Sequence, residues 1–141
     1  MSFCSSLDIV GSALTAERFR TDIITQNIAN ANTTVTSGQE PYRRQQVALE
    51  EIPLTFSEEL DNAKSGGVRV SNIVKSDADF KLIYDPTNPE ANAEGYVQSS
   101  NVDTTQEQID LLAASNAYEA NLTALSVVKA MINKTIEMGS R

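Results

Sequence analysis

The sequence predicts an α+β chain: a long helix at each end, the two packing as a coiled-coil-like bundle, with a small β-rich segment between them. Three observations predict this. Apolar residues recur at three- and four-residue steps near both ends, the period drops to two in the middle, and the charge is concentrated in that middle. At 141 residues the chain has room for one domain, or a small domain with arms. The expected organisation is an N-terminal helical segment 1–32, an acidic, outward-facing β-rich segment 33–103, and a C-terminal helical segment 104–141.

The first helix is expected over about residues 5–30. Phe3, Leu7, Val10, Leu14, Thr21, Ile24, Ile28 and Ala31 fall on one seam if Glu17 is accepted as a polar interruption, and Ile9, Ala13, Ala16 and Ile23 lie beside it. Ser5, Ser6 and Asp8 are N-cap candidates, and the β-branched run from Thr33 to Thr36 ends the helix.

Between the helices, Tyr42 to Leu49 reads as a strand, and Val68, Val70, Ile73 and Val74 as another after the flexible Gly66-Gly67 pair. Phe80 to Tyr84 alternates, Tyr96-Val97 is a weaker strand, and Asp85-Pro86-Thr87-Asn88-Pro89 is a turn. Pro53 stops regular pairing, and residues 50–64 read equally as a short acidic helix or a loop.

The last helix is expected over about 105–138. Thr104 and Glu107 read as a capping box, and Gly139 as the stop. Leu111, Tyr118, Leu122, Leu125, Ile132 and Ile136 form one stripe, and Ile109, Ala113, Ala120, Ala124, Val127, Met131 and Met138 a second. Two stripes cover more of the circumference than one partner helix needs.

Composition excludes most chemistry. Eleven basic against nineteen acidic residues give a net charge of −8, which does not suit a nucleic-acid surface. The middle carries −6 of this and each end only −1. Without histidine, the commonest neutral-pH acid/base and transition-metal ligand is missing. Cys4 is the single cysteine, so it cannot form an internal disulfide, and it reads as a packing residue or plain thiol. Glu50-Glu51, Glu58-Glu59 and Asp77-x-Asp79 read as solvated acids, and the three glycosylation-like triplets at Asn32, Asn121 and Asn133 as chance. No basic leader opens the chain, and polar residues break the least charged run, Leu111 to Val128, so neither a secretory signal nor a membrane span is expected. No catalytic residue, cofactor, metal or small-molecule substrate is expected.

From Ile23 to Gln39 no residue is charged, and from Leu111 to Val128 only Glu119 is, while both runs are rich in Asn, Gln, Ser, Thr and Ala. A lone surface helix usually shows a charged face, so these helices read as surrounded by other chains, with their polar groups pairing inside the contact. An antiparallel hairpin within one molecule explains one stripe per helix and leaves the second without a cause. The residues assigned to subunit contact are Leu7, Val10, Leu14, Ile24, Ile28, Leu111, Tyr118, Leu122, Leu125, Ile132 and Ile136. Tyr42, Arg43, Arg44 and Tyr84 are lesser candidates for interface or middle-segment packing.

Asn27-Ile28-Ala29-Asn30-Ala31-Asn32-Thr33, following Leu14-Thr15-Ala16-Glu17-Arg18, resembles the amino-terminal signature of the axial (rod and hook) family of the bacterial flagellum. Further matches in order are Pro41-Tyr42-Arg43-Arg44, Phe80 to Pro86, Pro89, Glu94-Gly95-Tyr96-Val97, Asn101-Val102-Asp103, Ile109-Asp110-Leu111, Ala117 to Asn121 and Ala124-Leu125. They resemble the proximal-rod branch, as does the insertion Thr34 to Glu40 before Pro41-Tyr42-Arg43, where hook and distal-rod members carry a Gly-Tyr-x-Arg turn. The resemblance implies a structural subunit whose terminal helices polymerise into the shaft that carries motor torque to the hook. It implies as partners proximal and distal rod subunits, the basal-body base and the type III export apparatus. It places the chain in the rod's periplasmic region, exported without a cleaved signal. The terminal helices of an isolated subunit are expected to be partly disordered. The competing classes are a soluble helical-hairpin adaptor for a single partner and a small metal-assisted hydrolase built on the acidic middle.

Overall fold

The computed structural model describes residues 3–34, 39–53 and 66–139, with the backbone alone at Phe3 and Cys4. The order is α1 (Phe3–Ala29), β1 (Gln45–Glu51), β2 (Val68–Lys75), β3 (Lys81–Tyr84), β4 (Tyr96–Ser99) and α2 (Thr104–Gly139), an α+β fold. At ~1.5 Å per residue α1 is ~40 Å long and α2 ~54 Å. α1 packs against α2 and against the β1–β2 ribbon, whereas α2 packs against α1 and no strand.

Both helices run close to the expected ranges, but their starts differ. α1 already runs from Phe3, so Ser5, Ser6 and Asp8 lie inside it and not at its N-cap position. At α2 the cap is Asp103: its Oδ1 accepts the Thr105 amide at 2.9 Å, and its carbonyl accepts the Glu107 amide at 3.0 Å. Thr104 is helical and Glu107 is fully buried, so the Thr104–Glu107 capping box does not form. An Asx cap one residue earlier satisfies the first orphan amide and frees the glutamate for another use.

β1 and β2 pair antiparallel from Gln45↔Lys75 to Glu51↔Val68, and Ser71 is the extra residue of a bulge opposite Ala48 and Leu49. β1 starts at Gln45, not Tyr42, where the Arg44 amide is taken by the Asn101 side chain, and it ends two residues before Pro53. β3 and β4 pair antiparallel from Lys81↔Ser99 to Tyr84↔Tyr96. Their turn ends at Gly95, which has φ +82°, and a Cβ there would stand 3.0 Å from the Tyr84 ring. The Tyr84 and Tyr96 rings meet edge to face at 5.3 Å. Thr34 bridges Ser99, and the Ser100 amide donates to the Thr33 carbonyl at 3.0 Å, so the chain leaving α1 is tied to the chain entering α2. The side chains of Phe3 and Cys4, the Val35-Thr36 part of the helix-ending run and the Glu58-to-Asp61 stretch lie outside the described residues.

Candidate assembly interface and its clasp

α2 has two unlike faces. Ala114 is fully buried, and Leu111, Tyr118, Asn121, Leu125, Val128 and Ile132 are half-buried; with Ala114 they step by three and four residues along the side facing α1. The outer side stays in water although it is apolar. Ile109 is 58% exposed, Leu112 63%, Val127 49%, Met131 56% and Met138 64%. An isolated domain gains little from a row of this kind, and contiguous exposed apolar surface marks contact sites.

α1 is covered on two sides. Of the assigned contact residues, Ile24 is buried and Leu7, Val10, Leu14 and Ile28 are half-buried within the chain. Leu111, Tyr118, Leu125 and Ile132 are likewise half-buried, while Leu122 at 43% and Ile136 at 64% are exposed. The intramolecular hairpin therefore forms and uses one stripe of each helix, and the second stripe of α2 is the free one.

Within the single chain the helix hydroxyls pair with their own helix. Thr15, Thr21 and Thr25 of α1 each donate to the carbonyl four residues back, at 2.8–3.0 Å. In α2, Thr123 donates to Glu119, Ser126 to Thr123 and Thr135 to Met131 at 2.7–3.0 Å. A hydroxyl satisfied by its own helix turns its carbon atoms outward and can be buried at little polar cost. Among the described residues the one buried side-chain oxygen without a hydrogen bond is Glu17 Oε2, 4.0 Å from Arg20 Nη1.

Where α1 ends and α2 begins, a buried polar clasp joins both helices to the root of β1. Asn27 and Glu107 are both fully buried. The Asn27 amide nitrogen donates to Gln45 O and to Glu107 Oε2, each at 2.8 Å. Its oxygen accepts the Gln45 amide at 3.0 Å and the Tyr42 hydroxyl at 2.9 Å. All four hydrogen-bonding positions of Asn27 are thus filled, two of them by one backbone residue, as if Asn27 were a neighbouring strand. Arg44 supplies the countercharge, with Nε 2.5 Å from Glu107 Oε1 and Nη2 2.8 Å from Asp110 Oδ2. The Arg44 amide donates to Asn101 Oδ1 at 2.7 Å, which is why β1 starts one residue later. Burial, and secondarily the Glu107 charge, push the Tyr42 hydroxyl above its ordinary value, so it stays a donor.

Sequence reasoning missed this clasp. Tyr42 and Arg44 stood as lesser candidates, Asn27 only as part of a motif, and Glu107 as a capping acid. A signal existed: Glu107 stands four residues before Leu111, on the seam, where an acid needs a buried partner. Of the other lesser candidates, Arg43 lies over the Phe80 ring at 4.2 Å, and Tyr84 packs on Tyr96.

The arrangement holds no reactive constellation. Among the described residues no three potential ligands gather as a metal site, and no helix is long and apolar enough to cross a membrane. The geometry is that of a protein built to be packed against.

Comparison with known proteins gives the class first. Residues 7–35 match the family model "Flagella basal body rod protein", and residues 93–138 match "Flagellar basal body rod FlgEFG protein C-terminal". The first match covers most of α1 and the residues after it, the second covers β4 and nearly all of α2, and together they identify a flagellar rod-type protein. The particular family follows from whole-chain relatives. The chain is 45% identical to the flagellar basal-body rod protein FlgC of Bacillus subtilis, over 99% of each chain. It is 38% identical to that of Escherichia coli O6:H1 over 99% of each, and 36% identical to that of Borreliella burgdorferi over 96% of this chain and 97% of the relative. The chain belongs to the FlgC family.

Proposed function

We propose that the chain is a structural, non-enzymatic subunit of the flagellar basal-body rod, polymerising through its terminal helices into the shaft that transmits motor torque to the hook. The observation that carries this is the exposed apolar row of α2, from Ile109 to Met138, on a helix that its own chain covers on one side only. A strip ~45 Å long and ~10 Å wide offers ~450 Å², below the ~800 Å² per partner of a standard stable pair. One neighbour on that strip binds weakly; several, repeated along a lattice, bind well. A heterologous contact that does not close produces such a helical tube. The partners are other rod subunits, proximal and distal, and the basal-body base. The site of action is the periplasmic stretch of the rod, reached through the type III export apparatus without a cleaved signal. Leu122 and Ile136 are the two assigned residues of the hairpin-side stripe that the single chain leaves exposed, so a neighbour can still reach them; the remaining nine support the contact by holding the hairpin.

Complementation tests this reading. A strain lacking its own copy should swim when given the wild-type chain and fail with Val127→Asp/Met131→Asp, on the outer row, although that variant folds and is expressed. Normal motility from the double variant would refute it.

A further inference from the structure

The clasp holds one end of the β1–β2 ribbon. A second contact, far along α1, involves residues with no other assigned role. The Val68 amide donates to Ser12 Oγ at 3.1 Å, and that hydroxyl donates to the Ile9 carbonyl at 2.7 Å. Gly67 lies so close that a Cβ built on it would stand 2.6 Å from Ser12 Oγ and 3.3 Å from Ser12 Cβ. Nothing in the Gly67 backbone needs a positive φ, so the glycine serves close approach and is not a flexible joint.

The spacing of the two contacts matches the ribbon. Asn27 and Ser12 are fifteen residues apart on α1, ~22 Å of helix, and the seven residues of β1 span ~23 Å. Asn27 holds Gln45 at the start of β1, and Ser12 holds Val68, the residue paired with Glu51 at its end. The ribbon thus runs antiparallel along α1 and is fastened at both ends. On either side of the second fastening lies a groove, one passing Phe19 and Val70, the other passing Ile9 and Leu49, so among the described residues little else presses that end onto the helix.

We infer that Ser12 and Gly67 are positioning residues: they fasten the far end of the ribbon to α1, make ribbon and helix one rigid lever, and thereby hold the middle segment in the attitude that rod assembly requires. The fastening is a property of the single chain; its link to assembly rests on the proposed function.

Spin labels at Asp8→Cys and Arg69→Cys, in a Cys4→Ser background of the purified full chain, read the distance between α1 and the ribbon's far end. The parent should give one narrow distance. Gly67→Ala should remove at least half of the population at that distance, because its methyl meets the Ser12 hydroxyl. Ser12→Ala removes the acceptor of the Val68 amide and should broaden the distribution likewise, whereas Thr15→Ala, on the same helix and outside the contact, should leave it narrow. An unchanged distribution in either Gly67→Ala or Ser12→Ala overturns the fastening. In cells, Gly67→Ala and Ser12→Ala should each reduce swarming at least tenfold, and Thr15→Ala should swarm normally. A loosened ribbon with normal swarming overturns the assembly role while leaving the fastening, and the distances stand or fall independently of the rod reading.

Discussion

Replacing Asn27 tests the clasp most sharply, since every polar position of that side chain is used and none faces water. Asn27→Ala removes three bonds to neutral groups, at ~1 kcal/mol net each, and one to a carboxylate, at ~2 kcal/mol. Water entering the vacated space returns part of that ~5 kcal/mol, so a loss of ~3 kcal/mol is expected. Asn27→Asp keeps the shape and both acceptor bonds but loses the donors and sets a second carboxylate against Glu107 Oε2, 2.8 Å from the present nitrogen. Two carboxylates that close share a proton, so the Asp variant should be the less stable of the two at pH 7 and should recover relative to the Ala variant as pH falls toward 5. Urea unfolding followed by circular dichroism at pH 7 and pH 5 reads both effects. A loss below ~1 kcal/mol for Asn27→Ala, or an Asp variant with no more pH dependence than the Ala variant, would show that the network is not the determinant described.

Other substitutions separate folding from assembly. Val127→Asp/Met131→Asp should change the unfolding free energy of the purified chain by less than ~1 kcal/mol in all, because both sites are solvent-exposed, yet yield no rods in electron micrographs of basal bodies. Ile24→Asp should do the reverse first, costing more than ~3 kcal/mol by burying an unpaired carboxylate, and lower the amount of folded chain before assembly is reached. Ala114→Leu, at a fully buried helix–helix contact, should cost ~1–3 kcal/mol by overpacking, measured as a lowered urea midpoint. The raised Tyr42 value has a definite sign. The folded state holds that proton above the unfolded value of 10.0, so its contribution is fully present below about pH 10 and is lost as pH rises through the folded value. Tyr42→Phe should therefore show a shallower alkaline decline than the parent in unfolding free energy measured from pH 8 to 11.

The helices were legible because their burial follows a single period. Leu7, Val10, Leu14, Thr21, Ile24, Ile28 and Ala31 repeat by three and four, and so do Leu111, Tyr118, Leu125 and Ile132; the side chains buried in the hairpin are largely these. The free stripe of α2 was legible for the same reason, as a period with no partner. The strands were legible from alternation, though their ends were not, since β1 begins where Asn101 releases the backbone, a residue fifty-seven positions away from Arg44. The clasp and the Ser12–Gly67 contact were hidden by the same separation. Asn27 meets Glu107 across eighty residues and Ser12 meets Val68 across fifty-six, and no local pattern marks either pair. Gly66-Gly67 illustrates the limit: a glycine needed for flexibility and one needed for contact look identical until the neighbour is known. The helix caps failed on a narrower point, because Asp103 and Thr104 are adjacent and both are good caps.

The central claim is that the outer face of α2 is covered by neighbouring subunits. Electron cryomicroscopy of intact basal bodies, at a resolution that shows side chains, tests it most directly. The account predicts Ile109, Leu112, Val127 and Met131 within about 4.5 Å of apolar atoms of adjacent chains; a map in which that face of α2 lines open solvent would contradict it.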